Sequence, residues 1–122
     1  MPSDIFGLGL VYETQVENTW PELSEFGYFG GGDDSPTYHT TIDRLDFSNE
    51  TVSASGNDLT QARTDLVAVS NSNYGYFGGG YFPGPNYSST IDRLDFSNET
   101  TSAPGNNNNL LQARANLAAV SN

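Results

Sequence analysis

The sequence predicts an all-β fold, and three observations carry that prediction. The segments YGYFG (Tyr74–Gly78) and IDRLDF (Ile42–Phe47) alternate side chains with the two-residue period of a strand. The segment LVAVSN (Leu66–Asn71) is apolar and contains β-branched residues, which favour strands. Turn-forming residues, SNE, follow Phe47 directly. No helical period competes with these patterns.

Each repeated unit is expected to contain four strands in a set order. LVAVSN is the first strand, YGYFG the second, IDRLDF the third, and the residues after the SNE turn, as in TVSAS (Thr51–Ser55), the fourth. The QAR segment that precedes LVAVSN is interpreted as an irregular lead-in, because Thr64 and Val67 weaken a helix there. Four strands with three short connections make one antiparallel sheet.

Three blocks of the chain occur twice, at offsets of 48, 49 and 51 residues. The copies are FGYFGGG at 26–32 and YGYFGGG at 74–80, TIDRLDFSNET at 41–51 and 90–100, and DLTQARTDLVAVSN at 58–71 and NLLQARANLAAVSN at 109–122. A unit of about 50 residues is typical of one propeller blade. We therefore divide the chain into an attachment or capping segment (1–25), a first repeat (26–73), and a second repeat with the start of a third (74–122).

These blocks resemble kelch repeats, in which a glycine run closes the second strand and the third strand bears an aromatic residue. The resemblance covers about residues 26–122, but Val52 and Thr101 lie where a kelch fourth strand usually carries tryptophan. It implies four-stranded antiparallel blades of a β-propeller. A closed propeller needs about four to eight blades, so further chain or partner chains are expected to complete it and to cover its strand edges.

Composition limits the classes of partner. The 122 residues carry a formal net charge of −11 and no cysteine. So acidic a surface disfavours nucleic acid and anionic membranes, and a disulfide or thiolate metal site is excluded. We expect no signal peptide, since no basic residue precedes the apolar GLGLV segment, and no membrane insertion.

Candidate catalytic groups have simpler interpretations. Asp43 and Asp46 lie three residues apart, so on a strand they face opposite ways and suit no carboxylate pair. His39 is the only histidine, which leaves no triad or His-rich metal site within one chain. Asp33 and Asp34 could bind calcium, but the second copy has aromatic residues there. We expect a protein that is not an enzyme and holds no cofactor or metal.

All four arginines occupy repeated positions. Arg44 and Arg93 lie in IDRLD, and Arg63 and Arg114 lie in QAR. Charge-assisted hydrogen bonds to carboxylates or strand-end carbonyls would join neighbouring sheets. We predict a structural role for them rather than ligand binding.

Two regions differ from this framework. The loops after the glycine blocks are rich in aromatic residues and differ between copies, which favours partner binding, although tolerated loop drift remains an alternative. Their candidate binding residues are Tyr38, His39, Tyr81, Phe82 and Tyr87. The first 25 residues match no part of the repeat and are expected to anchor the chain, through Phe6, Leu8, Leu10, Tyr12 and Trp20.

The wording of YGYFGGG and TIDRLDFSNET also resembles tandem repeats of virion or tail-associated proteins of marine cyanophages. This resemblance implies a bacteriophage structural protein, a tail fibre or surface component made in the host cytoplasm and located in the virion. Its expected partners are other virion proteins or copies of itself, together with a host surface glycan or protein. The alternative is a cellular kelch-like protein-interaction module. An enzyme on a propeller scaffold is disfavoured by the lone histidine and the verbatim duplication.

Overall fold

The computed structural model describes residues 25–84 and 86–122, and it confirms the predicted all-β class. Within these residues the only helix is a short 3-10 turn at Gly105–Asn107. Nine strands account for the rest of the regular structure, and all their pairings are antiparallel. The strands are β1 (Phe26–Gly30), β2 (Ile42–Asp46), β3 (Thr51–Ala54), β4 (Val67–Ser70), β5 (Tyr74–Gly78), β6 (Tyr81–Phe82), β7 (Asn86–Tyr87), β8 (Ile91–Asp95) and β9 (Thr100–Ser102).

The strands form two larger sheets and a small ribbon. The N-terminal sheet has the order β1-β2-β3, the C-terminal sheet has the order β9-β8-β5-β4, and the ribbon joins β6 to β7. Duplicated sequences pair in the same register, since Tyr28 lies opposite Arg44 and Tyr76 lies opposite Arg93. The alternation of side chains along each strand therefore gives the two sheets matching faces.

The β2–β3 and β8–β9 turns are formed by local hydrogen bonds. Asp46 Oδ1 accepts from the Ser48 hydroxyl at 2.6 Å and from its backbone N–H at 2.8 Å. Asp95 and Ser97 repeat this arrangement at 2.7 and 2.9 Å. These two bonds hold the pKa of each aspartate below its usual value, and the bond from the hydroxyl contributes more than the bond from the N–H. Short-range chemistry thus accounts for both turns.

The glycine blocks let the segment after each sheet return across it. Gly31 has φ +75, and a Cβ there would lie 2.7 Å from the Arg63 carbonyl oxygen. Gly79 has φ +74, and a Cβ there would lie 2.8 Å from the Arg114 carbonyl oxygen. Only glycine combines the left-handed backbone with such close approach. Each QAR segment is therefore held against its own preceding sheet.

The hydrophobic core lies where the two sheets meet. Its buried residues are Ile42, Leu59, Phe77 and Leu94, with Tyr28, Leu66 and Phe96 packed around them. Phe96 stacks on Tyr28 at a centroid distance of 5.5 Å, and a Cβ on Gly30 would lie 2.9 Å from the Phe77 ring. Because the described residues form only a small core, the polar contacts between the sheets are important for their relative position.

The predicted anchor falls outside the described residues. Its five apolar residues, Phe6, Leu8, Leu10, Tyr12 and Trp20, all precede residue 25. The division at residue 25 and the anchor role stay predictions. Among residues 25–84 and 86–122, no helix has the length and apolar character needed to cross a bilayer.

Candidate functional site

Three of the predicted binding residues meet on one surface, although they come from different copies of the repeat. Tyr38 belongs to the β1–β2 loop, whereas Tyr81 and Tyr87 lie on β6 and β7. The Tyr81 ring lies 6.4 Å from Tyr38 and 5.3 Å from Tyr87, in the latter case edge to face. Tyr87 is 60% exposed. We call these three residues the aromatic loop cluster.

Backbone hydrogen bonds position the cluster. Tyr81 exchanges N–H···O bonds with Thr64 at 2.8 and 2.9 Å, which attaches β6 to the segment that leads out of the first repeat. Tyr38 forms an isolated antiparallel bridge with Asp33, and the His39 N–H donates to the Gly32 carbonyl at 2.9 Å. Pairing of Tyr81 with Tyr87 in the ribbon sets the third ring. A ligand would thus meet rings on a fixed backbone, and little loop ordering would accompany binding.

The other two predicted residues lie beside the cluster. His39 Nε2 is 3.3 Å from Asp34 Oδ2, with both side chains exposed, so His39 faces an acidic neighbour rather than the tyrosine rings. Phe82 is half-buried on β6 and pairs with Asn86. Neither forms a ring contact with the three tyrosines within the described part of the chain.

Two aspartates, Asp33 and Asp65, lie near Tyr38 of the cluster. Desolvation raises the pKa of Tyr38. Electrostatic repulsion by Tyr81, Asp33 and Asp65 raises it further, because it disfavours the phenolate. The Tyr38 phenol therefore stays a neutral hydroxyl, able to donate, at physiological pH. The same carboxylates disfavour anionic ligands. Rings, hydroxyls and carboxylates in this arrangement suit a neutral or cationic partner.

The described residues place no group of three or more histidine, aspartate or glutamate side chains where they could hold a metal ion. Asp43 is exposed, and Asp46 is engaged by Ser48. The aromatic loop cluster presents rings and hydroxyls that can form apolar contacts and hydrogen bonds.

Arg63 lies completely buried between the two sheets. Its Nε donates to the Gly79 carbonyl at 2.7 Å, Nη2 to the Phe77 carbonyl at 3.1 Å, and Nη1 to Asp92 Oδ2 at 3.0 Å. Asp92 also accepts from the Thr60 hydroxyl at 2.6 Å and its N–H at 3.1 Å. Both charges are thereby paired and hydrogen-bonded, as burial requires.

Arg44 makes a second link between the sheets. Its Nη1 lies 2.8 Å from Glu99 Oε2, which also accepts from the Tyr28 hydroxyl at 3.1 Å. The other carboxylate oxygen of Glu99 accepts from the Gly56 N–H at 3.1 Å. Desolvation, together with a smaller contribution from the hydrogen bond to Glu99, raises the pKa of Tyr28 to about 12. The phenol therefore remains a donor to the carboxylate.

Sequence reasoning did not predict the contacts of Glu99, Asp92 or Thr60. No sequence signal distinguishes Glu99 from Glu50 or Asp92 from Asp43, because each pair lies in the identical TIDRLDFSNET block. Only one member of each pair faces the other sheet. The role of the arginines, and of these carboxylates, follows from position in three dimensions.

No protein-family model matches the chain, and no curated protein matches its sequence.

Proposed function

We propose that this protein is a non-catalytic structural component of a phage particle, in a tail fibre or on the particle surface, and that it contacts the host through the aromatic loop cluster. The observation that carries the recognition role is the meeting of Tyr38 with Tyr81 and Tyr87 across the two repeats. The virion assignment rests on the resemblance of the repeats to those of cyanophage particle proteins.

We further propose that the two sheets are successive kelch-like blades of a propeller-type stack. Support comes from the unit length of about 50 residues, from the equal register of the duplicated strands, and from Arg63, which connects one sheet to the next. Additional chain or partner chains would complete such a stack.

The host ligand in this proposal is a neutral or cationic surface glycan or protein. Tyrosine rings supply rigid contact area with few rotatable bonds, and their hydroxyls donate or accept hydrogen bonds. Asp33 and Asp65 near Tyr38 supply acceptors for ligand hydroxyl or ammonium groups and repel anions. The arrangement resembles a small paratope on a β scaffold.

Particles that carry Tyr81→Ala or Tyr87→Ala test this role. We expect each change to lower the adsorption rate to host cells by about tenfold, as for loss of a central aromatic contact. Leu111→Ala is the control, since Leu111 is fully exposed and belongs to no ring contact of the cluster. Unchanged adsorption by both tyrosine variants would contradict the recognition role.

The location is tested separately by mass spectrometry of purified particles. Recovery of the chain at a constant copy number supports the virion assignment, and its absence favours the cellular interaction module. Deletion of residues 1–25 should release the chain from particles while its circular dichroism remains that of β structure. Normal incorporation of the shortened chain would contradict the anchor role.

A further inference from the structure

The C-terminal sheet has an outer face, opposite the one that packs on the N-terminal sheet. Each residue on this outer face has a copy in the first repeat. In the first repeat, that copy is covered by the C-terminal sheet. The pairs, outer-face residue first, are Tyr76 and Tyr28, Gly78 and Gly30, Arg93 and Arg44, Arg114 and Arg63, and Leu117 and Leu66. A groove on this face is lined by Tyr76, Gly78, Ile91, Leu110, Arg114 and Leu117. The contacts made by the first copy therefore indicate which groups would cover the outer face of the C-terminal sheet.

The outer face carries Tyr76 and Gly78, the copies of two residues, Tyr28 and Gly30, that make apolar contacts between the two sheets. Tyr28 stacks on Phe96, but among the described rings Tyr76 contacts only Tyr74 of its own strand, at 6.2 Å. A Cβ on Gly30 would lie 2.9 Å from the Phe77 ring. A Cβ on Gly78 would meet only the Ile91 side chain, at 3.6 Å. The outer face therefore has room for a ring at Gly78.

Arg93 holds the pose of Arg44 but lacks its carboxylate. Each guanidinium donates through Nη2 to a serine hydroxyl at 3.3 Å, and each lies 4.7 Å above an aromatic ring of the neighbouring strand. Arg44 also pairs with Glu99 at 2.8 Å. No carboxylate of residues 25–84 or 86–122 pairs with Arg93 in this way. The serine and the ring hold the charge ready for an acidic partner.

Arg114 shows the same relation to Arg63. Both donate Nη1 to the carbonyl two residues earlier, at 3.3 Å. Arg63 also donates to Asp92 and to the carbonyls of Phe77 and Gly79, whereas Arg114 makes no further side-chain hydrogen bond within the described residues and is exposed. Arg93 and Arg114 thus place two oriented positive charges on one face of a chain whose net charge is −11. This face therefore favours a partner that presents carboxylates.

The N-terminal sheet presents the matching groups on its own outer face. Phe29 is 64% exposed and Phe47 is 54% exposed, and Asp43 and Glu50 are also exposed. They are the copies of residues that form the C-terminal half of the contact between the sheets, namely Phe77, Phe96, Asp92 and Glu99.

We propose that the outer face of the C-terminal sheet binds the outer face of the N-terminal sheet of a second copy of this chain. Glu50 of the second copy pairs with Arg93, and its Asp43 pairs with Arg114. The rings at positions 47 and 29 of the second copy cover Tyr76 and Gly78. The joint repeats the contact already present between the two sheets of one chain.

Such a contact is heterologous, because two different faces meet. Chains therefore add head to tail, and they form a ring if the rotation closes and a filament if it does not. The surfaces involved differ from the aromatic loop cluster, so this inference and the proposed recognition role fail independently.

Sedimentation velocity of the intact chain over micromolar to millimolar concentrations tests the inference. The wild-type chain should form oligomers larger than a dimer or a closed ring. Arg93→Glu alone and Glu50→Arg alone should each raise the apparent dissociation constant by about tenfold or more, because like charges then meet at the joint. An equimolar mixture of the two variants should restore association, since opposite charges meet again at every joint.

Asp34→Arg is the matched control. It makes the same change in net charge as Glu50→Arg, on an exposed loop residue whose described side-chain partner is His39, and it should leave association unchanged. A wild-type chain that stays monomeric at all concentrations would overturn the inference. So would single charge variants that associate like wild type, or a mixture that fails to restore association while each variant melts like wild type.

Discussion

Arg63 and Arg114 occupy the same place in two copies of QAR, yet their surroundings differ completely. Arg63 is buried with its guanidinium bonded to Asp92 and to the carbonyls of Phe77 and Gly79, whereas Arg114 is exposed and, among the described residues, its guanidinium is bonded only to the carbonyl of Gln112. The backbone around them is alike, since each carbonyl oxygen accepts from the N–H of the third glycine of a GGG block, at 2.8 and 2.9 Å. The difference shows that a neighbouring sheet, rather than the local sequence, makes this arginine a structural residue.

The energetic consequence is large because burial changes the value of a charge. An exposed ion pair contributes about 0–1 kcal/mol, but removing one partner of a buried pair costs about 3–5 kcal/mol, since the other charge is left unpaired. Identical residues in the two copies should therefore respond unequally to the same substitution. Three pairs of substitutions test this inequality, and a fourth pair tests the turns, where the two copies should respond alike.

The largest effect is expected for Arg63→Ala. The change leaves the buried Asp92 carboxylate and two carbonyls without their donor, so the free energy of unfolding should fall by about 3–5 kcal/mol. Arg114→Ala in dilute solution should change it by no more than about 0.5 kcal/mol, as for an ordinary surface substitution. Urea denaturation followed by circular dichroism measures both. Equal losses in the two variants would contradict the comparison.

Gly30→Ala and Gly78→Ala test whether side-chain packing also differs between the two copies. The new methyl group at Gly30 would lie 2.9 Å from the buried Phe77 ring, which predicts a loss of about 1–3 kcal/mol through overpacking. At Gly78 the nearest contact is at 3.6 Å, so in dilute solution, where the outer face is free, the loss should stay within about 1 kcal/mol. Thermal melting distinguishes the two. A larger loss at Gly78 would show that another group covers that face.

Arg44→Ala and Arg93→Ala should differ by less. The sequence predicts the same structural role for both, but among the described residues only Arg44 forms an ion pair with a carboxylate, that of Glu99, whose side chain is 16% exposed. Since the Arg44 side chain is itself about a third exposed, we expect a loss of about 1 kcal/mol for Arg44→Ala and less than about 0.5 kcal/mol for Arg93→Ala. A Glu99→Gln background should remove most of the difference. If the difference persists there, it does not arise from the ion pair.

The smallest effect concerns the two turns, where the copies should behave alike. Ser48→Ala and Ser97→Ala remove the hydroxyl that contributes most to the lowered pKa of Asp46 and Asp95, so each pKa should rise toward its ordinary value. A lowered folded-state pKa adds stability above the unfolded-state pKa, and this stability is lost as pH falls through the folded-state value. Each variant should therefore show a weaker dependence of stability on acid pH. Carboxyl carbon NMR titration measures the shifts, and unequal shifts would show that tertiary context also acts on the turns.

Sequence patterns were enough for the all-β class and for the strands of the duplicated YGYFG and IDRLDF blocks, but not for the β6–β7 ribbon, which lies in a segment predicted to be a loop. The alternation in YGYFG and IDRLDF corresponds to β5 and β2, and the all-β class follows from such patterns. The meeting of Tyr38 with Tyr81 and Tyr87 could not be predicted, because it depends on the bridge between Thr64 and Tyr81, which joins segments of different repeats. A pattern within one repeat holds no information on that contact.

The sequence by itself determined strand identity, turn geometry and the places where glycine is needed. Each of these depends on interactions between residues close along the chain, such as Ser48 with Asp46. Only the tertiary structure decided which copy of each residue is buried, as Phe77 is while Phe29 is exposed. Two identical segments have the same local preferences, so their difference arises from what packs against them. Burial is a property of neighbours in space, and a duplicated sequence cannot encode different neighbours for its two copies.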